Sequence, residues 1–81
     1  MKHKSRATRF AEAQAKASEA KSEMEELRDE LQNWLDNLPE NLQGGSKADS
    51  LQTCIDEIET AISGLEEVEG ASPEFPGMFG G

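Results

Sequence analysis

The fold is decided by residues 10–38, which read FAEAQAKASEAKSEMEELRDELQNWLDNL. Apolar residues and alanines recur there at alternating steps of three and four, at Phe10, Ala13, Ala17, Ala20, Met24, Leu27, Leu31, Trp34 and Leu38. This heptad spacing places one apolar stripe along a helix. With Phe10 at heptad position a, the d positions are Ala13, Ala20, Leu27 and Trp34. No Gly or Pro lies between Ser5 and Leu38, so we predict a single helix over about residues 5–38.

Pro39 ends this helix, because proline lacks the amide hydrogen and disfavours helical geometry in the residue before it. Residues 39–46 are therefore predicted to form a turn, with Leu42 packed over the end of the hairpin. A second helix is predicted over about residues 47–69, with Ser46 as its N-cap. Its apolar stripe consists of Leu51, Ile55, Ile58, Ile62 and Leu65, widened by Cys54, Ala61 and Val68.

Two amphipathic helices joined by a short turn pack antiparallel, which predicts an all-α helical hairpin over residues 1–69. Trp34 and Cys54 are expected in its core, and Gly64 is expected where two backbones approach closely. The first helix is longer than the second, so its N-terminal part needs a partner from outside the hairpin. We expect a homo-oligomer resembling a coiled-coil bundle, with a seam formed by Phe10, Ala13, Ala17 and Ala20. The stripe matches no standard dimer, trimer or tetramer pattern, so the number of copies stays open.

Residues 70–81 contain too many Gly and Pro residues for a helix or a central strand, and we predict an irregular tail there. The tail nevertheless carries three large apolar side chains, Phe75, Met78 and Phe79. Solvated tails are usually poor in aromatic residues. These three are therefore candidate docking residues. The tail either folds back on the chain or its oligomer, or docks on a partner in extended form.

Composition excludes several classes of protein. The chain has 81 residues and a net charge of −9, and no apolar stretch approaches the roughly 20 residues of a membrane span. The N-terminus does not resemble a signal peptide, so we expect a cytoplasmic protein without membrane association. One Cys and one His provide neither a disulfide nor an ordinary metal site. We expect no enzyme and no cofactor, because the sequence has neither a phosphate-binding glycine loop nor a nucleophile elbow.

Charge is distributed unevenly along the chain. Residues 1–21 carry six basic and two acidic side chains, a net of +4, whereas residues 22–81 carry two basic and fifteen acidic ones, a net of −13. Arg6 and Arg9 lie three residues apart, so they share a helix face and form a candidate anion site together with Lys4. The alternative is a basic terminus that only improves solubility. Apart from Phe10, no aromatic residue lies among the basic ones, so sequence-specific nucleic-acid binding is not expected.

The acidic part also has two interpretations. A row of carboxylates on the outer faces of a narrow rod can imitate a phosphate backbone and block a DNA-binding protein. The simpler alternative is a pair of solvated helix faces that keep a small oligomer in solution.

Two segments carry a resemblance. Residues 31–43, LQNWLDNLPENLQ, and residues 74–79, EFPGMF, look like short, acidic, uncharacterised accessory proteins of tailed bacteriophages. The resemblance implies a small viral protein made in a bacterial cytoplasm, where such proteins often bind host components and some sequester nucleotide immune signals. The leading hypothesis is a phage accessory inhibitor without catalysis, which binds an anionic, nucleotide-like signal or a host protein. The alternatives are a structural or scaffold component of the virion, and an acidic DNA mimic.

Overall fold

The computed structural model describes residues 4–76, which form an all-α helical hairpin without β-strands. Helix α1 spans Arg6–Asp36, the short helix α2 spans Glu40–Gln43, and helix α3 spans Ser46–Gly70. Helices α1 and α3 run antiparallel and pack along their lengths, giving a rod of 67 × 24 × 14 Å. The predicted docking residues Met78 and Phe79 lie outside the described residues.

The ends of α1 follow from local chemistry. The Ser5 hydroxyl accepts a hydrogen bond from the Thr8 amide at 3.1 Å, which satisfies one of the amides that a helix N-terminus leaves free. The helix ends at Asp36, two residues earlier than predicted, and Asn37 is its C-cap. Proline restricts the residue before it, so Leu38 leaves the helix and is buried against α3 instead.

The connection differs from the predicted turn. Residues Glu40–Gln43 form one helical turn directly after Pro39, where a missing amide costs nothing because a helix start leaves that donor unbonded. The prediction that Leu42 covers the hairpin end was wrong, because its side chain is exposed. Helix α3 then begins at Ser46 with Gly45 as its N-cap, so the prediction that the Ser46 side chain caps this helix was also wrong.

The core lies at the closed end of the hairpin and along one face of α3. Its buried apolar residues are Leu38, Ala48, Leu51, Ile55 and Ile62. The half-buried Leu31 and Leu35 of α1 pack against the group at the closed end. The predicted stripe of α3 is therefore the face that meets α1.

Helix α1 meets α3 with a different pair of heptad columns from the one predicted. The a column is buried or half-buried, and consists of Phe10, Ala17, Met24, Leu31 and Leu38. Beside it, half-buried residues occupy the e column, as Gln14, Lys21, Arg28 and Leu35, and the b column beyond it, as Ser18, Glu25 and Gln32. The d column instead lies to one side, with Ala13, Leu27 and Trp34 exposed and Ala20 half-buried. Five of the nine residues of the predicted stripe thus face α3, and the other four lie to one side.

Two large corrections follow from this register. Trp34 was expected in the core, but it lies on the surface with the Lys47 ammonium 4.7 Å from its ring centroid. Cys54 was also expected in the core and is exposed. A seven-residue period shows that side chains share one side of a helix, but it does not show which of two adjacent sides meets the neighbouring helix.

Gly64 also departs from its prediction. A Cβ atom added there would meet no atom within 4 Å, so no backbone of residues 4–76 approaches it closely.

Removing the same methylene from two isoleucines of α3 tests this register. We expect Ile55→Val to lower the free energy of unfolding by about 1 kcal/mol, because Ile55 is the most completely buried large side chain. Ile58→Val is the matched control at a half-buried position, and should cost clearly less. Urea unfolding at one protein concentration measures both. An equal or larger loss for Ile58→Val would contradict the register.

Candidate functional site

The chain after α3 folds back along α1. Residues 71–76 are irregular, and they bring the Phe75 ring to Phe10 with the ring centroids 6.0 Å apart and the planes tilted by 60°. This is the tilted geometry that aromatic pairs prefer. The part of the tail that carries Phe75 therefore folds back on its own chain. It gives Phe10 an intramolecular partner that the sequence analysis did not expect.

A polar clamp formed by Gln14, Ser18, Lys21 and Glu69 holds this end of the hairpin together. The Gln14 amide nitrogen donates to the carbonyl oxygens of Val68, at 2.8 Å, and Ala71, at 2.7 Å. Val68 is among the last four residues of α3, and its carbonyl also accepts a hydrogen bond from the Ala71 amide at 3.1 Å. Gln14 therefore fixes the direction in which the chain leaves α3.

The charged part of the clamp lies one to two turns further along α1. The Lys21 ammonium lies 2.8 Å from the Glu69 carboxylate, which also accepts a hydrogen bond from the Ser18 hydroxyl. The hydrogen bond to Glu69 raises the pKa of Lys21 above its ordinary value. The hydrogen bonds from Lys21 and Ser18 lower the pKa of Glu69. Both charged forms are thus favoured by the folded hairpin.

The fold-back creates a cleft between the start of α1 and the tail. It has a volume of about 320 Å³ and is lined by Arg6, Arg9, Phe10 and Phe75. Both arginines are exposed, and neither forms an ion pair within residues 4–76. Two guanidinium groups and two aromatic rings therefore face one solvent-accessible space.

The third residue of the predicted anion site is engaged elsewhere. The Lys4 ammonium bonds to the Glu12 carboxylate at 2.6 Å, and Lys4 does not line the cleft. The structure thus brings Arg6 and Arg9 together as the spacing predicted, and adds Phe10 and Phe75 to them. The sequence predicts other roles for the two aromatic residues, since no local pattern connects positions 65 residues apart.

The predicted oligomer seam is divided between two sides of α1. Phe10 contacts Phe75 and Ala17 is half-buried in the a column, whereas Ala13 and Ala20 belong to the d column beside it. A second depression, of about 340 Å³, runs along α3 and is lined by Asp49, Ser50, Thr53, Cys54 and Glu57. Among residues 4–76, no three His, Cys, Asp or Glu side chains are grouped so that they could hold a metal ion.

Two further findings concern the helices and the similarity of the sequence to known proteins. None of the helices within residues 4–76 has both the length and the apolar composition needed to cross a membrane. Comparison with protein-family models, with curated proteins and with solved structures found no match to this chain. Function must therefore be argued from the cleft and the surface.

The clamp predicts a pH dependence of stability. Because the pKa of Glu69 is lowered in the folded hairpin, Glu69 stabilises the fold at pH values above its ordinary pKa of 4.5. This contribution is lost as the pH falls through the lowered pKa. Because the pKa of Lys21 is raised, Lys21 stabilises the fold at pH values below its ordinary pKa of 10.5. This contribution is lost as the pH rises through the raised pKa. Glu69→Gln should therefore lower the urea midpoint at pH 7, and the difference from the unsubstituted protein should shrink in acid.

Glu67→Gln is the matched control, because Glu67 is exposed at the same end of α3 and forms no ion pair within residues 4–76. It should leave the midpoint nearly unchanged at pH 7. If Glu69→Gln lowers the urea midpoint as much at a pH well below the ordinary pKa of Glu69 as it does at pH 7, the result would contradict the clamp.

Proposed function

We propose that the protein is a non-catalytic binding protein that sequesters an anionic, nucleotide-like ligand in the cleft between α1 and the tail. The observation that supports this function is the meeting of Arg6 and Arg9 with Phe10 and Phe75 around one open cavity. A nucleotide combines the two chemistries that these side chains recognise, a phosphate and a flat ring.

The phosphate is the part that Arg6 and Arg9 would bind. Guanidinium groups match phosphate oxygens with paired, charge-assisted hydrogen bonds. The two side chains lie in the basic segment, residues 1–21, which carries +4 in a chain whose total charge is −9. An anion is therefore attracted to this end of the rod and repelled by the remainder.

The base is the part that the aromatic rings would bind. Stacking of a base on an aromatic side chain is worth about 1–3 kcal/mol and tolerates different bases. Because the rings of Phe10 and Phe75 are tilted by 60° to each other, one ring can stack on the base while the other ring closes the side of the cleft. The volume of about 320 Å³ is near the lower end of the range of roughly 300–1,000 Å³ for ligand pockets. This favours a ligand the size of one nucleotide.

The chemistry of the cleft favours binding over conversion. Arginine stays protonated in proteins, and phenylalanine has no ionisable group, so none of the four lining side chains can accept or transfer a proton. The resemblance to phage accessory proteins suggests the setting, in which the ligand is a nucleotide immune signal and its sequestration protects the phage. If the cleft instead binds a host protein, the bound segment of that protein must be phosphorylated or acidic.

Calorimetric titration with 5′-AMP, inorganic phosphate and adenosine tests this function. We expect 5′-AMP to bind more tightly than either of its parts. Arg6→Gln and Arg9→Gln should each weaken 5′-AMP binding by about 10- to 100-fold, the equivalent of one hydrogen bond to a charged group. Phe75→Ala should reduce the affinity for 5′-AMP to that for phosphate and leave phosphate binding unchanged.

Lys4→Gln is the matched control, because it removes one positive charge from the same segment but from a side chain already paired with Glu12. Its affinity for 5′-AMP should stay within about threefold of that of the unsubstituted protein, the size expected for an exposed charge. If the double substitution of Arg6 and Arg9 by Gln retains the affinity, or if none of the three probes binds, the proposed function is wrong.

A further inference from the structure

One side of the hairpin is apolar along most of its length. We call this side the open flank, and it consists of Ala13, Ala20, Leu27 and Trp34 of α1 together with Cys54, Ala61 and Val68 of α3. Each set is spaced by seven residues, which keeps its members on one side of their helix. Lys47 continues the α3 set, seven residues before Cys54, and its ammonium lies over the Trp34 ring. The two sets therefore lie on the same side of the hairpin.

The open flank leaves large apolar side chains in contact with water. Leu27 and Trp34 are each 48% exposed and Val68 is 39% exposed. The opposite side of the hairpin carries the ion pairs of Lys21 with Glu66 and Glu69. Within the two long helices that the structure describes, the exposed large apolar side chains thus lie on this one side.

The contact between Lys47 and Trp34 also fixes which residues lie at the same height in the two helices. Steps of seven residues from this pair place Leu27 beside Cys54, and then Ala20 beside Ala61. One more step places Ala13 beside Val68. The two alanines, Ala20 and Ala61, therefore form one small layer near the middle of the open flank, between the layer of Leu27 and Cys54 and the layer of Ala13 and Val68.

We infer that a second copy of this chain covers the open flank, related to the first by a two-fold axis that passes beside Ala20 and Ala61. Helix α1 then runs antiparallel to α1 of the second copy, and α3 runs antiparallel to its own counterpart. Such a contact is closed and uses the same surface of both copies.

The sizes of the facing residues suit this arrangement. With Ala20 at the axis, Ala13 lies opposite Leu27 of the second copy, and Val68 lies opposite its Cys54. Leu27 and Val68 thus each meet a smaller side chain, and the alanines at the centre allow the helices to approach closely. Gly64 borders the same layer, and the open space at its Cα is where the second copy's α3 would lie.

Charge complementarity is the strongest argument for a second copy. The rim of α1 beside the open flank carries Arg9, Lys16, Glu23 and Glu30, spaced by seven residues, so that two basic residues precede two acidic ones. All four are exposed, and none forms an ion pair within residues 4–76. An antiparallel pairing centred on Ala20 places Lys16 opposite Glu23 of the second copy, and Arg9 opposite its Glu30. Charged rim positions select partners in this way in coiled coils.

The other two-fold pairing of the same flank is disfavoured by charge. It would lay α1 on α3 of the second copy and bring Glu23 near Glu57, and such like-charge pairs oppose association. Arg9 serves both the rim and the ligand cleft, which its five N–H donors permit.

The flank is large enough for a stable dimer. From Ala13 to Trp34 it is roughly 30 Å long, and two helices are roughly 20 Å wide. The resulting area of about 600 Å² lies at the lower end of what one partner buries in an interface of standard size, about 600–1,000 Å². This interface shares Ala13 and Ala20 with the predicted seam, but it replaces Phe10 and Ala17 with residues of both helices.

Sedimentation equilibrium of the full chain without ligand tests the dimer, and its outcome does not depend on the proposed function. We expect a mass of twice the chain mass of 8.9 kDa. Ala20→Glu brings two carboxylates together at the axis and should give single chains that remain helical by circular dichroism. Ala15→Glu makes the same change on an exposed side away from the open flank, and should leave the dimer intact. A single-chain mass for the unsubstituted protein, or a dimer that survives Ala20→Glu, would overturn the proposal.

A charge exchange tests the antiparallel pairing itself. Lys16→Glu places carboxylates opposite Glu23 at two symmetric positions and should weaken the dimer by about tenfold, the equivalent of about 1.4 kcal/mol. Adding Glu23→Lys restores opposite charges and should recover the original dissociation constant. If the double variant is as weak as Lys16→Glu alone, the two residues do not face each other and the pairing is wrong.

Discussion

Each long helix of this protein has more apolar surface than one antiparallel neighbour can cover. Helix α3 packs on the a and e columns of α1, with Ser18, Glu25 and Gln32 half-buried next to the e column, while the d column of α1 and the matching column of α3 remain on the open flank. The folded hairpin is consequently asymmetric, with a buried seam between its helices, a charged side, and an apolar side that includes the half-exposed Leu27 and Trp34. In a chain this small, the burial that one hairpin provides is modest, and covering a second side adds to it.

The polar clamp determines which two columns face inward. Gln14 and Lys21 lie in the e column of α1, and their bonds to the carbonyl of Val68 and to Glu69 require that this column faces α3. The same contacts direct the chain after α3 back along α1, which places Phe75 on Phe10 and completes the cleft. One group of polar contacts thus connects the register, the open flank and the candidate binding site.

Much of the architecture follows from the sequence, because periodicity and proline are local signals. The two helices, their antiparallel packing and the inward a column of α1 could be predicted, as could the meeting of Arg6 and Arg9. The side of α1 that faces α3 could not be predicted, since Trp34 and Leu35 are equally apolar and the decisive bonds join Gln14 to a carbonyl 54 residues away. For the same reason, the sequence did not place Phe75 beside the arginines, or Cys54 and Trp34 on the surface.

Trp34 is the only tryptophan, so its fluorescence reports directly on the open flank. The central claim is that the a and e columns of α1 pack within the hairpin and that a second copy covers the open flank. Acrylamide quenching over a dilution series, with helix content followed in the same samples, tests this claim. Our account predicts a tryptophan protected at high protein concentration and accessible at low concentration while the chain stays helical. A tryptophan that remains protected at every concentration would place Trp34 inside the hairpin, and one that remains accessible at every concentration would leave the open flank without its second copy; either result contradicts the account.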